Sequence, residues 1–192
     1  MLTTIIQLLV LGTAIICLGS FIYGMQSFFV KPDRLNLGMS AVYVFNFIFG
    51  ALHIGAITFC FHYNPLNNAF GILLYLTAIF IFWWAISVNR KKHLTFAFSS
   101  DLPEHLVTTG PYRWIRHPFY FAYLCAWIAG ATAISDYRLL VAFFVTLWLY
   151  WRAAKEEEDK FYLSSLNVEY SLYKEQAGMF WPNFFRRQSA LK

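Results

Sequence analysis

The chain has 192 residues, a formal net charge of +5, and a composition that is 59% apolar, 21% aromatic and only 13% charged. Soluble domains carry about 25% charged residues, and disorder needs low hydrophobicity with high net charge. The composition therefore argues against a soluble enzyme, a disordered chain and a soluble nucleic-acid binder, in spite of a pI of about 9.1. Residues 1–30 hold no Asp, Glu, Lys or Arg, and neither do residues 35–89. Uncharged apolar runs of ~20 residues are what a bilayer core of ~30 Å requires. The sequence reads as an all-α integral membrane protein with about five transmembrane helices.

The first span is expected at about 2–23, closed by Lys31-Pro32, and the second at about 39–61, closed by the turn-rich His62-Tyr63-Asn64-Pro65-Leu66-Asn67-Asn68. The third is expected at about 69–88, ended by Asn89-Arg90-Lys91-Lys92. A polar segment follows to His117. A short fourth span at about 118–134, a turn at Ser135-Asp136-Tyr137, and a fifth span at about 139–151 complete a C-terminal helical hairpin. The fifth helix is expected to run out of the membrane through Ala153–Asp159. The N-terminal run lacks a basic leader and is too long for a signal peptide, so it is read as a retained helix. Cys17, Cys60 and Cys125 are widely spaced in apolar stretches and read as small core residues. Gly12/Gly19 and Gly50/Gly55 are candidates for close helix approach, without true GxxxG spacing.

Cytoplasmic loops carry the Lys/Arg excess. With five spans, 14 of the 15 basic residues fall on one side and only Arg138 on the other. That places the N-terminus outside and the C-terminus in the cytoplasm. The basic pI then concerns topology and contact with anionic lipid headgroups.

Polar residues concentrate in two stretches flanking the hairpin, 104–120 and 152–158. In the first, Thr108-Thr109-Gly110-Pro111 is turn chemistry. Pro118 suits the first position of a helix, with His117 as its N-cap or close by. The free N–H groups and positive end of that helix would favour a carboxylate or phosphate. His117 and Tyr120, three apart, share a helix face. Arg113 and Arg116 are candidates for lipid phosphates or a ligand. In the second stretch Arg152 and Glu156 share a face four residues apart, and an ionisable group at the lip of a span is a functional candidate. The bland readings are a juxtamembrane aromatic-basic belt and a solvated helix end.

Together these stretches resemble the isoprenylcysteine carboxyl methyltransferase family and the related phospholipid methyltransferases. Their pattern Leu-Val-x-x-Gly-x-Tyr-x-x-x-Arg-His-Pro-x-Tyr is filled by Leu106, Val107, Gly110, Tyr112, Arg116, His117, Pro118 and Tyr120. An Arg and a Glu pair follow the hairpin, here Arg152 with Glu156-Glu157 or Glu157-Glu158, and then a Tyr170–Pro182 tail. Ala122 stands where the family often has Gly, and Leu166-Asn167 replaces Phe-Gly.

The resemblance, which covers about residues 90–185, implies a membrane methyltransferase using S-adenosyl-L-methionine on a membrane lipid or lipidated acceptor. The cofactor pocket, on the cytoplasmic face, would be lined by His105, Leu106, Val107, Gly110, Tyr112, His117, Pro118, Tyr120, Glu156 and Glu157. Arg152 and Glu156 would be catalytic, nearest the transferred methyl group, and the tail would cover the cofactor. Residues 1–88 would form the anchor and acceptor-binding part, and residues 89–192 the methyltransferase core. No metal and no nucleic acid are expected. The acceptor is most simply a carboxylate of the isoprenylcysteine type, with a phospholipid amine or small thiol as alternatives. A sterol-type reductase using NADPH, and a non-catalytic membrane protein, are the readings from other classes.

Overall fold

The computed structural model describes residues 1–29, 37–89, 103 and 105–183. Lys31, Arg34, Arg90, Lys91, Lys92, Arg186, Arg187 and Lys192, on which the orientation argument leans, lie outside them. The described residues form six α-helices: α1 (Leu2–Phe28), α2 (Leu37–Phe59), α3 (Pro65–Asn89), α4 (Pro118–Ala133), α5 (Leu140–Leu163) and α6 (Asn167–Gln176). Short 3₁₀ turns at Gly110–Arg113 and Tyr137–Leu139 precede α4 and α5.

The first three helices are long and apolar enough to cross a membrane, at 27, 23 and 25 residues. At 1.5 Å per residue each reaches about 35–40 Å. Their outer faces carry exposed Leu, Ile and Phe, including Leu8, Ile16, Phe47, Leu52, Leu73 and Phe80, as lipid contact requires. Helix α4 is apolar but has only 16 residues, and α5 becomes charged beyond Trp151.

Helix α3 begins four residues before the expected start. Pro65 occupies its first position, Asn64 Oδ1 accepts the Asn67 N–H at 3.2 Å, and the Asn64 N–H donates to Asn68 Oδ1 at 3.0 Å. This is the reciprocal logic of a capping box. The asparagines that read as a loop also tie α3 to the end of α4: Asn67 Nδ2 donates to Ser135 Oγ at 2.9 Å, and Asn68 Nδ2 to the Ala133 carbonyl. Ser135 adopts the left-handed region, φ 57°. The short hairpin turn imposes this conformation.

One end of the bundle gathers the start of α1, the end of α2, the start of α3 and the α4–α5 turn; Gln7 Nε2 donates to the carbonyls of Ile57 and Thr58, both at 2.9 Å. The opposite end gathers the end of α3, the start of α4 and the charged half of α5. Asp136 and Arg138, paired at 2.6 Å, are the only charged residues at the first end among the described residues.

The close helix contacts fall on glycines other than the four singled out. A Cβ on Gly24 would strike the Phe82 ring, one on Gly71 would sit 2.4 Å from Ala133 Cβ, and one on Gly130 would meet His53. Gly12, Gly19 and Gly55 face open space, and Gly50 only brushes Leu18. The core between these contacts holds Val10, Phe21, Ile57, Phe82, Ile86 and Ala129. Cys17 and Cys125 are buried as expected, but Cys60 is exposed just past the end of α2.

A candidate active site at the charged end of the bundle

The approach to α4 is built in three steps. Gly110 turns the chain at φ +61°, a conformation that favours glycine, and a Cβ there would meet Val88 and Trp84 of α3. Tyr112 then anchors the turn from both sides. Its hydroxyl accepts from Asn89 Nδ2 at 3.0 Å, and its carbonyl accepts from the Tyr173 hydroxyl at 2.6 Å. Finally His117 is the N-cap residue and buried Pro118 the first residue of α4. The His117 side chain does not cap the helix; it reaches across to α5.

The tail closes this corner. The N–H groups of Arg116 and His117 donate to the carbonyls of Gly178 and Met179 at 2.8 and 3.1 Å, and the Gly178 N–H donates to the Trp114 carbonyl at 3.1 Å. These N–H groups, just ahead of α4, bind the tail rather than a ligand. Phe180 packs with Tyr120, Tyr150, Ala153 and Ala154. Gly178 is obligatory for space, since a Cβ there would lie 1.8 Å from the Trp181 carbonyl oxygen.

Two carboxylates of α5 meet this corner in different ways. Glu158 is 1% exposed. Its Oε1 accepts from Arg116 Nε at 2.9 Å and faces His117 Nε2 at 3.3 Å, and its Oε2 lies 3.1 Å from Lys174 Nζ. Burial would raise its pKa, but the bond from His117 and the Arg116 charge prevail and hold it down to about 2. Arg116 further donates to the carbonyls of Lys174 and Ala177. Glu157 is 31% exposed, with Oε2 3.4 Å from His117 Nδ1 and Oε1 accepting from the Tyr120 hydroxyl. Burial disfavours charge on His117, but its contacts with Glu157 and then Glu158 raise its pKa above the ordinary histidine value.

The ring of His117 stacks on Tyr120 at 5.6 Å, and Tyr120 lies flat on Tyr150 at 5.0 Å and 8°. The Tyr150 hydroxyl donates to Asn46 Oδ1 of α2 at 2.9 Å. A continuous ladder therefore runs from the charged cluster to α2.

Of the candidate residues, the structure brings His117, Tyr120 and Glu157 together, with Pro118 and Tyr112 buttressing them. Arg152 and Glu156 do not join the cluster. They lie on the exposed face of α5, 3.8 Å apart and about half exposed, with the Arg152 guanidinium over the Trp148 ring at 5.6 Å. Leu106 packs against Tyr170, Tyr173 and Ala177, His105 is exposed, and Val107 is half-buried. Sequence reasoning missed the Arg116–Glu158–Lys174 grouping. Arg116, a candidate for lipid phosphates or a ligand, is paired with Glu158.

The sequence profile of the phospholipid methyltransferase family matches residues 66–164, just over half of the chain. The chain belongs to that family. It is also 31% identical over 74 residues to the Protein-S-isoprenylcysteine O-methyltransferase of Saccharomyces cerevisiae, a match covering 38% of this chain and 31% of the relative. The chain thus aligns with under a third of that relative's length. The phospholipid methyltransferase match runs from the start of α3 to the end of α5, so it contains both polar stretches and the hairpin. Lys174 and the Gly178–Phe180 tail lie outside it.

Proposed function

We propose that the chain is a membrane methyltransferase that takes its methyl group from S-adenosyl-L-methionine and transfers it to a lipid-like or lipidated acceptor, at a carboxylate of the isoprenylcysteine type. Family membership supports the reaction class, and the cluster of Glu157, His117 and Tyr120 is the observation that carries the site. Glu157 belongs to the acidic pair in either register. It is a partly open carboxylate in an otherwise buried aromatic corner, which suits the positive end of the cofactor. When bound, the cofactor supplies an electrophilic methyl group on a cationic sulfur.

The chain's own residues supply orientation and exclusion of water, which govern an in-line displacement. His105–Val107, Gly110, Tyr112, Pro118 and Tyr120 shape the cofactor side. Arg152 and Glu156 lie at the lip of α5, where an acceptor would arrive from the membrane. Their pair is long and half exposed, so it is weak. An acceptor carboxylate can replace Glu156 on Arg152 through two parallel hydrogen bonds, and a carboxylate needs no base before it attacks. The anchor, residues 1–88, would hold the acceptor's apolar part, and residues 89–192 the chemistry.

A second acceptor, a phospholipid amine, is favoured by the family whose profile matches. It would require a base, and Glu156 or His117 would have to serve. Transfer of a labelled methyl group into prenylcysteine analogues and into fractionated phospholipids separates the two. Label in the prenylcysteine ester, lost by at least ~100-fold in Arg152→Ala (about 2.7 kcal/mol), supports the carboxylate reading. Label confined to phospholipid amines overturns it, and no transfer to any lipid or prenylcysteine overturns the lipid-like acceptor.

A further inference from the structure

We propose that His117 is the counter-ion that the cofactor's positive end replaces at Glu157, so that binding S-adenosyl-L-methionine expels a proton from the His117 ring. This rests on the reading of Glu157 as the carboxylate that meets the cofactor.

The argument begins with both ring nitrogens. Nδ1 lies 3.4 Å from Glu157 Oε2 and Nε2 lies 3.3 Å from Glu158 Oε1. A neutral imidazole has one N–H and can donate to only one of them; the imidazolium donates to both. The two carboxylates differ in what else they hold. Glu158 has Arg116 and Lys174 within 3.1 Å, and it is buried, so it remains paired whatever happens to His117. Among the described residues Glu157 has no such cation. Its partners there are His117 and the neutral Tyr120 hydroxyl, and it is the one open to an incoming group.

The charges around the ring can be counted. From α5 come Glu157 and Glu158, from the residue before it Arg116, and from α6 Lys174. Tyr120 of α4, Tyr112 of the 3₁₀ turn, and Tyr170 and Tyr173 of α6 complete the titratable surroundings, and the tail contributes only the uncharged Phe180 ring. With neutral His117 the two carboxylates balance Arg116 and Lys174; with the imidazolium the cluster carries one excess positive charge. A cation seated on Glu157 takes that carboxylate from Nδ1 and adds its own field, and both effects disfavour the ring proton. The phenols outside the spans are pushed up by burial, and Glu158 is held down to about 2. The imidazole is thus the group placed to exchange a proton near neutrality.

The sign follows by linkage. A proton lost on binding means that affinity rises with pH, by at most about tenfold per pH unit, and levels off above the pKa of His117 in the free protein. The test is titration calorimetry of the full chain in detergent with S-adenosyl-L-methionine, in buffers of different ionisation enthalpy between about pH 6 and about pH 8. The expected result is release of a fraction of one proton. In His117→Gln, binding releases none and its affinity is flat with pH. Histidine-labelled wild-type protein followed by NMR gives an independent readout: one imidazole titration midpoint falls on saturation with cofactor. Binding without proton release, proton uptake, or release that persists in His117→Gln overturns the proposal while leaving the methyl-donor reading intact. Should His117→Gln not fold, the wild-type NMR titration decides alone. Absence of binding at every pH overturns both readings.

Discussion

At Glu158 two cations and an imidazole converge on one buried carboxylate, and its removal would strand Arg116, whose side chain is 8% exposed. Breaking one member of a buried pair costs about 3–5 kcal/mol. Glu158→Ala should therefore unfold in detergent at a markedly lower temperature, measured by intrinsic fluorescence. Glu156→Ala, which removes a half-exposed partner, should change stability by under ~1 kcal/mol. The pH dependence of stability has two opposed parts. The pKa of Glu158 falls on folding, so its contribution is complete above the ordinary carboxylate range and is lost as pH falls toward about 2. That of His117 rises on folding, so its contribution is complete below the ordinary histidine value and fades as pH rises through the higher, folded one. Denaturant titrations of wild type and Glu158→Gln should diverge near neutrality and converge in acid. Sequence spacing placed His117 and Tyr120 on one face, because three residues along a helix is a local rule. It was blind to Arg116 and Glu158, because 42 residues separate them and only the hairpin brings them together.

Among the elements, the α3–α4 pair is set by Gly71 against Ala133. Gly71→Ala puts a methyl group 2.4 Å from Ala133 Cβ and 2.6 Å from its Cα, an overpacking that costs about 1–3 kcal/mol. Gly12→Ala, which meets nothing within 4 Å, should be neutral or slightly stabilising, and the two thermal midpoints compared side by side test this. The helices themselves were legible from apolar runs and the absence of charge, since each long run must satisfy its own backbone in lipid. Which glycines pack was not legible, because that depends on the neighbour across the contact. The start of α3 was hidden for a related reason: Asn64, Asn67 and Asn68 carry turn chemistry, and here the same carboxamides cap a helix and tie it to Ser135.

For the whole molecule, the alternation of ends places Cys60, the start of α1 and the α4–α5 turn together, opposite the charged cluster. Cys17 and Cys125 are buried. We propose the cluster on the cytoplasmic face, as the basic loops suggest. A membrane-impermeant maleimide should then label exposed Cys60 in sealed right-side-out vesicles without permeabilisation. Labelling only after permeabilisation would invert the orientation. The apolar character of the whole was plain in composition, whereas the exposure of Cys60 was not, because an apolar context in sequence does not say which face of a helix end the residue occupies.

The distance in sequence between Arg116 and Glu158 also sets an order of events during synthesis. When α4 has been synthesised, Arg116 and His117 are already at its head, while their carboxylates are still to be made. The tail carbonyls of Ala177, Gly178 and Met179 arrive later still. Helix α4 is therefore complete while its cations are still unpaired, until α5 delivers Glu157 and Glu158. Ribosome-bound chains halted before α5 should thus hold α4 only loosely, and those extended past the tail should hold it firmly.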